Sequence, residues 1–329
     1  MFLKGMWKDG FLQIKTPMRF QGNTQFDAAN PIGNTYWVWS NGSDSNDGKG
    51  SNAEHAFRTL AHAVKAADDW DIIRVRAAHR DWVSDADPGQ YAYLERDIPI
   101  NIDQMGLKII GDTAPGGFLY GSPTIHAHNV GSTYSHPDHW GVVGTIVDNL
   151  FNIRANSVEI GNLCIQMQIA ACGVAIAPTH QVSRTYLHDI AFTGYGGVYG
   201  TYGVFMQGSP ECSMVQIENC LFSGWATKAV QWNCGSGSVF RNNIVLVENN
   251  ATGIDITTSG KPWGSFILSN RFVASGTGSY GIKITSQYGT GMLLIDDNRS
   301  AGFNGAQDYP TYGAAYMGAN YRNGALVTA

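Results

Sequence analysis

Charge is scarce in this chain. Asp, Glu, Lys and Arg make up 14% of its 329 residues, against about 25% in an ordinary soluble domain. The 21 basic residues are outnumbered by 26 acidic ones, a net charge of −5. A protein that tracks a phosphate backbone carries the opposite excess, so nucleic acid is not an expected partner. Cysteine is sparse as well: Cys164, Cys172, Cys212, Cys220 and Cys234. The number is odd and no two form C-x-x-C. A zinc ribbon or a disulfide scaffold is therefore not expected, and the five read as buried thiols of a protein made in a reducing compartment. No apolar run reaches the roughly 18 residues that span a bilayer. The opening MFLKGMWKDGFLQIKTP alternates polar and apolar residues and lacks the apolar core of a signal peptide. Neither membrane insertion nor a secretory signal is expected.

Glycine, in contrast, is abundant at 40 residues, well above the usual share of about 7%, yet it follows no three-residue collagen period. Hydrophobic residues at 43% are enough for a core and exclude wholesale disorder. Many turns and a core point to β structure, and the arrangement of the turns is periodic. One phrase, apolar-x-Asn/Asp, recurs at Asn162, Asp189, Asn219, Asn242, Asn270 and Asp297, with spacings of 27, 30, 23, 28 and 27 residues. A second, Gly-apolar-x-apolar, alternates with it at Gly173, Gly203, Gly253 and Gly281, with degenerate copies at Ala229 and Gly313. Each copy is too short to bury its own apolar face, so copies must stack. The expected fold is an all-β parallel solenoid with coils of roughly 27 residues. The residues two before each Asn/Asp face its core. The Asn/Asp column forms a bend that tolerates left-handed φ and, stacked in register, an amide ladder.

Upstream, Asp71–Val75 and Gly106–Gly111 read as strands of the first coils. Ser51-Asn52-Ala53-Glu54 has capping-box spacing. Phe57, Leu60, Val64 and Ala67 then share one helical face. A helix at about 52–68 is expected to cover the open end of the solenoid. Residues 1–35 lie outside the repeat and read as an arm or anchor. Residues 36–329 form a single solenoid domain, with regular coils from about 71 to 320.

Asn41-Gly42-Ser43-Asp44-Ser45-Asn46-Asp47-Gly48, Ala56-Phe57-Arg58-Thr59-Leu60 and Asp71-Ile72-Ile73-Arg74-Val75, followed by the Ile-x-Asn and Gly-Val-x-Ile phrases, resemble the opening and coils of pectate-lyase-like right-handed parallel β-helix proteins. The resemblance covers residues 36 to about 320. It implies a right-handed β-helix. The superfamily holds polysaccharide lyases and hydrolases, and also phage tailspikes and virion proteins, so the fold leaves activity open. Homotrimerisation is what the resemblance to virion β-helices implies.

Lyases of that superfamily bind Ca²⁺ through acidic residues on one outer sheet, beside a basic group. In this chain the outward column before the bends reads Gly161, His188, Glu218, Arg241, Ser269 and Asp296. A second column reads Ala175, Phe205, Gln231, Asp255, Lys283 and Ala315. Glu218 beside Arg241, and Asp255 beside Lys283, read either as acid–base pairs or as ion pairs between neighbouring strands. Neither column holds the convergent carboxylates of a Ca²⁺ site, nor two acids in one coil for glycoside hydrolysis. The Ser43–Gly48 loop is oxygen-rich but lacks the closing acid of an EF-hand, and reads as a turn into the helix. His126, His128, His136 and His139 cluster within a short stretch and suit a divalent transition metal, or else belong to a polar insertion. No cofactor is otherwise expected. Tyr202, Tyr280 and Tyr312 recur before the glycine phrase and are candidates for contacting a glycan or a neighbouring subunit.

Three functions fit. The preferred one is a structural protein of a phage virion, a capsid decoration or short spike, homotrimeric and attached to other virion proteins through residues 1–35. The second is a tailspike-type polysaccharide depolymerase, a lyase or glycoside hydrolase. The third is a carbohydrate-binding adhesin without chemistry. The missing acid cluster favours a non-enzyme.

Overall fold

The computed structural model describes residues 5–8, 11–14, 33–76, 92–94, 99–112, 123–127, 149–167, 172–177, 179–194, 200–207, 211–223, 225–233, 235–248, 250–257, 263–275, 278–284, 293–303 and 315–327. Two units separate, Met1–Gly33 and Asn34–Ala329. In the first, Gly5–Lys8 pairs antiparallel with Phe11–Ile14.

The second unit is a right-handed parallel β-helix. From Ile72 to Ile284 each turn of chain contributes one short strand to each of three sheets. In one coil these are Glu159–Gly161 in the first sheet, Cys164–Met167 in the second and Cys172–Ile176 in the third. The first sheet runs through ten parallel strands from Thr35–Val38 to Ala315–Met317. The second begins at Ala92–Leu94 and ends at Asn320–Arg322, against which Ala325–Val327 turns back antiparallel. The third spans seven strands, Ile100–Ile102 to Tyr280–Ile284.

Strand alternation builds the core. In the first sheet Ile160, Leu187, Ile217, Phe240, Ile267 and Ile295 are in register and buried. In the second, Phe192 and Phe222 stack with ring centroids 4.7 Å apart. The glycine phrase has a steric cause: a Cβ at Gly203 or Gly253 would lie 2.8 or 2.5 Å from the carbonyl oxygen of Ala229 or Gly281 on the next coil.

The bend between the first and second sheets sits at Asn162, Asp189, Asn219, Asn242, Ser269 and Asp297, all at φ between 50° and 57°. Two corrections to the repeat follow. In the coil before Asp297, Ser269 rather than Asn270 takes the left-handed position, and Ile267 rather than Leu268 faces the core. The stacked amides stand one residue after the bend, at Asn243, Asn270 and Asn298, and continue to Asn320 in the last coil. Each Nδ2 donates to the Oδ1 of the next, at 3.0, 2.9 and 2.9 Å. Each Oδ1 also accepts a backbone N–H from the coil before, beginning with Cys220 on Asn243. An amide at the bend itself is exposed to solvent, as Asn242 is. One residue later the side chain is buried and must bond within the protein.

The helix is shorter than expected, Leu60–Ala66, with Thr59 as its N-cap; Thr59 Oγ1 accepts the His62 N–H. Ser51–Glu54 forms turns instead of a capping box. Asp44 holds the helix entrance, accepting from Arg58 N, Thr59 N and Thr59 Oγ1, each at 2.9 Å. Phe57, Leu60, Val64 and Ala67 are buried, and the helix packs against the terminal strands Thr35–Val38 and Ile100–Ile102. The reading of all five cysteines as thiols is corrected at Cys212, which is disulfide-bonded; Cys164, Cys172 and Cys220 are free. Residues one coil apart become lateral neighbours in a solenoid, so a disulfide needs no close spacing in sequence. Among the described residues no helix is long and apolar enough to cross a membrane.

Candidate functional site

Outward side chains of the third sheet form two columns. One contains Tyr202, Lys228, Thr252 and Tyr280; the other contains Asn101, Asn152, Ala175, Phe205, Gln231, Asp255 and Lys283. Ala315 is absent from it, because Ala315–Met317 pairs with Leu293–Ile295 in the first sheet. The middle of this face is polar yet buried: Gln231, Thr252 and Asp255 are 4%, 7% and 4% exposed. Buried polar groups must be bonded, and these are. The Lys228 ammonium is 2.5 Å from Asp255 Oδ2 and also donates to Gln231 Oε1. Gln231 Nε2 donates to Asn233 Oδ1 at 2.7 Å, which also accepts the Thr257 hydroxyl at 2.7 Å. Lys283 is in register beside Asp255 and holds its ammonium 5.0 Å from the Tyr280 ring centre.

Aromatic rings bracket this row. Tyr202 and Phe205 stack at 5.4 Å on the coil before it, and Tyr280 lies on the coil after it. Toward the N-terminal end the same face carries linked amides, Asn149 to Asn152 at 2.8 Å and Asn152 to Asn101 at 3.1 Å. From Tyr202 to Tyr280 the face spans three coil spacings, roughly 14 Å. Half-buried rings thus stand beside an amide, an ammonium and a carboxylate that are held by bonds to one another.

The first sheet carries a separate charged cluster. Glu218 accepts Arg241 Nη2 on both oxygens, each at 2.9 Å. In register before Glu218 stands His188, with Nδ1 2.8 Å from Asp189 and Nε2 3.2 Å from Glu159. Glu159 is also 2.8 Å from Lys108, and Tyr186 stacks on the His188 ring at 4.5 Å. Gly161 makes room for the imidazole; a Cβ there would sit 2.3 Å from it. Burial pushes the Glu159 carboxyl up, but hydrogen bonds from His188 and Lys108 outweigh it and hold it at about 2. Burial would lower the His188 pKa; its bonds to Glu159 and Asp189 raise it instead. Burial, then the neighbouring carboxylates, pushes the Tyr186 phenol up to about 12. These groups satisfy one another and act as a clasp across coils.

His126 lies in the second sheet in register with Gln166; His128, His136, His139 and Tyr312 fall outside the described residues. Sequence reasoning missed Lys228, the direct partner of Asp255, and the Lys108–Glu159–His188 chain. Lys228, Lys108 and Glu159 occupy the outward columns that the phrases skip, while His188 stands in the tabulated one. Tabulating the position two before Gly161 in the first sheet and three before Gln231 in the third would have found them.

No protein-family profile matches the chain, and no curated protein matches it. Solved structures do. A pectin methylesterase mutant in complex with a hexasaccharide superposes with a TM-score of 0.51 at 14% identity, over 88% of this chain and 90% of that one. The Escherichia coli protein YbhC gives 0.51 at 12% identity, over 97% and 90%. ORF18 of Geobacillus virus E2 gives 0.43 at 11% identity, over 80% and 56%. At these identities the likeness is one of fold, the pectate-lyase-like right-handed parallel β-helix.

Proposed function

We propose that this chain is a saccharide-binding β-helix, with the outward face of the third sheet as its binding surface. One observation carries the reading: Tyr202, Phe205 and Tyr280 bracket a row in which the half-buried Lys228 bonds the buried Gln231 and Asp255. Buried partners fix the half-buried rings and the Lys228 ammonium in advance, so little side-chain entropy remains to be lost on binding. The similar pectin methylesterase with a bound hexasaccharide supports the ligand class. A virion setting, with attachment through residues 1–35, belongs to the same proposal. Its support is the resemblance of residues 41–75 and the coils to a superfamily that includes tailspikes.

The test is an array of bacterial-surface and plant polysaccharides probed with the full chain, followed by calorimetry on any hit. Tyr202→Ala and Tyr280→Ala should each weaken binding about tenfold, the loss of one stacking contact. A wild-type chain that binds no glycan refutes the reading. Burial of Asp255 against Lys228 favours a second reading, a polysaccharide depolymerase. Breakdown of a bound polysaccharide, abolished by Asp255→Asn, would establish it.

A further inference from the structure

Large exposed apolar side chains are unevenly placed. Among the described residues all but Met105 lie between 214 and 326. In the first sheet, Val239, Phe266, Leu294 and Tyr316 are in register on four successive coils and form one outward column. Phe266 is 39% and Tyr316 64% exposed, and Met214 and Trp263, on the approach to the same sheet, are 48% and 51% exposed. The neighbouring outward column holds Arg241, Leu268 and Asp296 in register. A contiguous apolar strip of this kind marks an interaction surface.

Charge placement says what fits it. Arg241 and Asp296 lie one coil to either side of Leu268. Glu218 takes only Nη2 of Arg241, and about half of that side chain is exposed. Asp296 Oδ1 accepts the Asp297 and Ala319 N–H groups. We infer that this face is a two-fold interface between two copies of the chain, packed face to face with antiparallel solenoid axes. A two-fold axis along the Phe266–Leu268 strand reverses coil order and keeps strand position. It therefore sets Phe266 on Phe266 and Leu268 on Leu268 of the two copies. It also sets Val239 against Leu294, Arg241 against Asp296 and Tyr316 against Gln216, each contact occurring twice. A two-fold parallel to the solenoid axes would instead exchange the two columns and set Arg241 against Val239 and Asp296 against Leu294, burying each charge on an apolar partner without its opposite. This contact is independent of the saccharide face on the third sheet.

Sedimentation equilibrium of the full chain should give a mass twice 35.6 kDa. Phe266→Glu, which opposes two carboxylates at the axis, should raise the dissociation constant at least tenfold and leave circular dichroism unchanged. Orientation is read with cysteines. A mixture of Val239→Cys and Leu294→Cys chains should cross-link with diamide, while neither variant cross-links by itself. This second test stands even where Phe266→Glu fails to fold. A monomer at all concentrations, a trimer, or cross-linking within either single variant overturns the inference.

Discussion

Replacing Asn270 by Ala removes one rung from the amide column, and the loss can be worked bond by bond. Asn270 Oδ1 accepts Asn243 N at 2.9 Å and Asn243 Nδ2 at 3.0 Å. Its Nδ2 donates to Phe240 O at 3.0 Å and to Asn298 Oδ1 at 2.9 Å. Asn243 Nδ2 keeps Ile217 O, and Asn298 Oδ1 keeps the backbone N–H of residue 270. Asn243 N–H loses its acceptor in a fully buried position. An orphaned buried donor costs about 1–3 kcal/mol, and each lost bond with a surviving partner about 1 kcal/mol or less. The total is about 4 kcal/mol. At about 2–3 °C per kcal/mol for a large domain, the melting temperature should fall by about 10 °C. The control is Asn242→Gly, one residue from the next rung, at φ 57° and exposed. Glycine adopts that conformation freely, so this variant should change stability by a few tenths of a kcal/mol. Calorimetry at several scan rates measures both, since solenoids can unfold irreversibly. Hydrogen exchange at the Asn243 amide gives a local readout that should accelerate in Asn270→Ala alone. If Asn242→Gly proves the more damaging variant, the placement of the ladder one residue after the bend is wrong.

Two further outcomes follow from the charged clasp and the thiols. Glu159 is held at about 2 against an ordinary 4.5, so its share of stability is present above the ordinary value and lost as pH falls toward 2. His188 is raised, so its share is present below its ordinary 6.5 and lost as pH rises through the folded value. Melting temperature should therefore peak at weakly acidic pH, with the acid limb flattened in Glu159→Gln and the alkaline limb flattened in His188→Asn; unchanged limbs in both variants contradict the clasp. The unfolded chain should titrate three thiols before reduction and five after. In the native state Cys164 should react ahead of Cys172 and Cys220, whose thiols burial pushes up, Cys220 to about 12; five thiols without reductant would exclude the disulfide.

The fold was legible because a solenoid writes its period into the chain. Alternating apolar positions and the left-handed bends at Asn162, Asp189, Asn219, Asn242 and Asp297 are visible without coordinates. The slip at Asn270 has a local reason. Around it both outward Phe266 and Leu268 and inward Ile267 are apolar, so alternation does not tell the faces apart. The ladder left a different trace, the doubled Asn242-Asn243 and Asp297-Asn298, whose second members carry the buried amides. Clusters such as Lys108–Glu159–His188 join residues from three coils and two columns. Only register, which loop lengths conceal, brings them together.

The amide column does not extend through the whole solenoid. Its position is filled by Leu163, Ile190 and Cys220 in the earlier coils and by asparagine in the later ones, with Cys220 N–H as the first donor onto Asn243. The aligned amides polarise one another as a directed chain, whereas the aliphatic stretch is held by non-directional contact. In the language of a one-dimensional lattice, this column is a block copolymer: an amide-coupled C-terminal block joined at Cys220 to an aliphatic N-terminal one. Coils are then not interchangeable. A coil duplicated or deleted within either block preserves the coupling rule, whereas one moved across the junction breaks it. Partial opening under stress should begin on the aliphatic side and stall at the first asparagine.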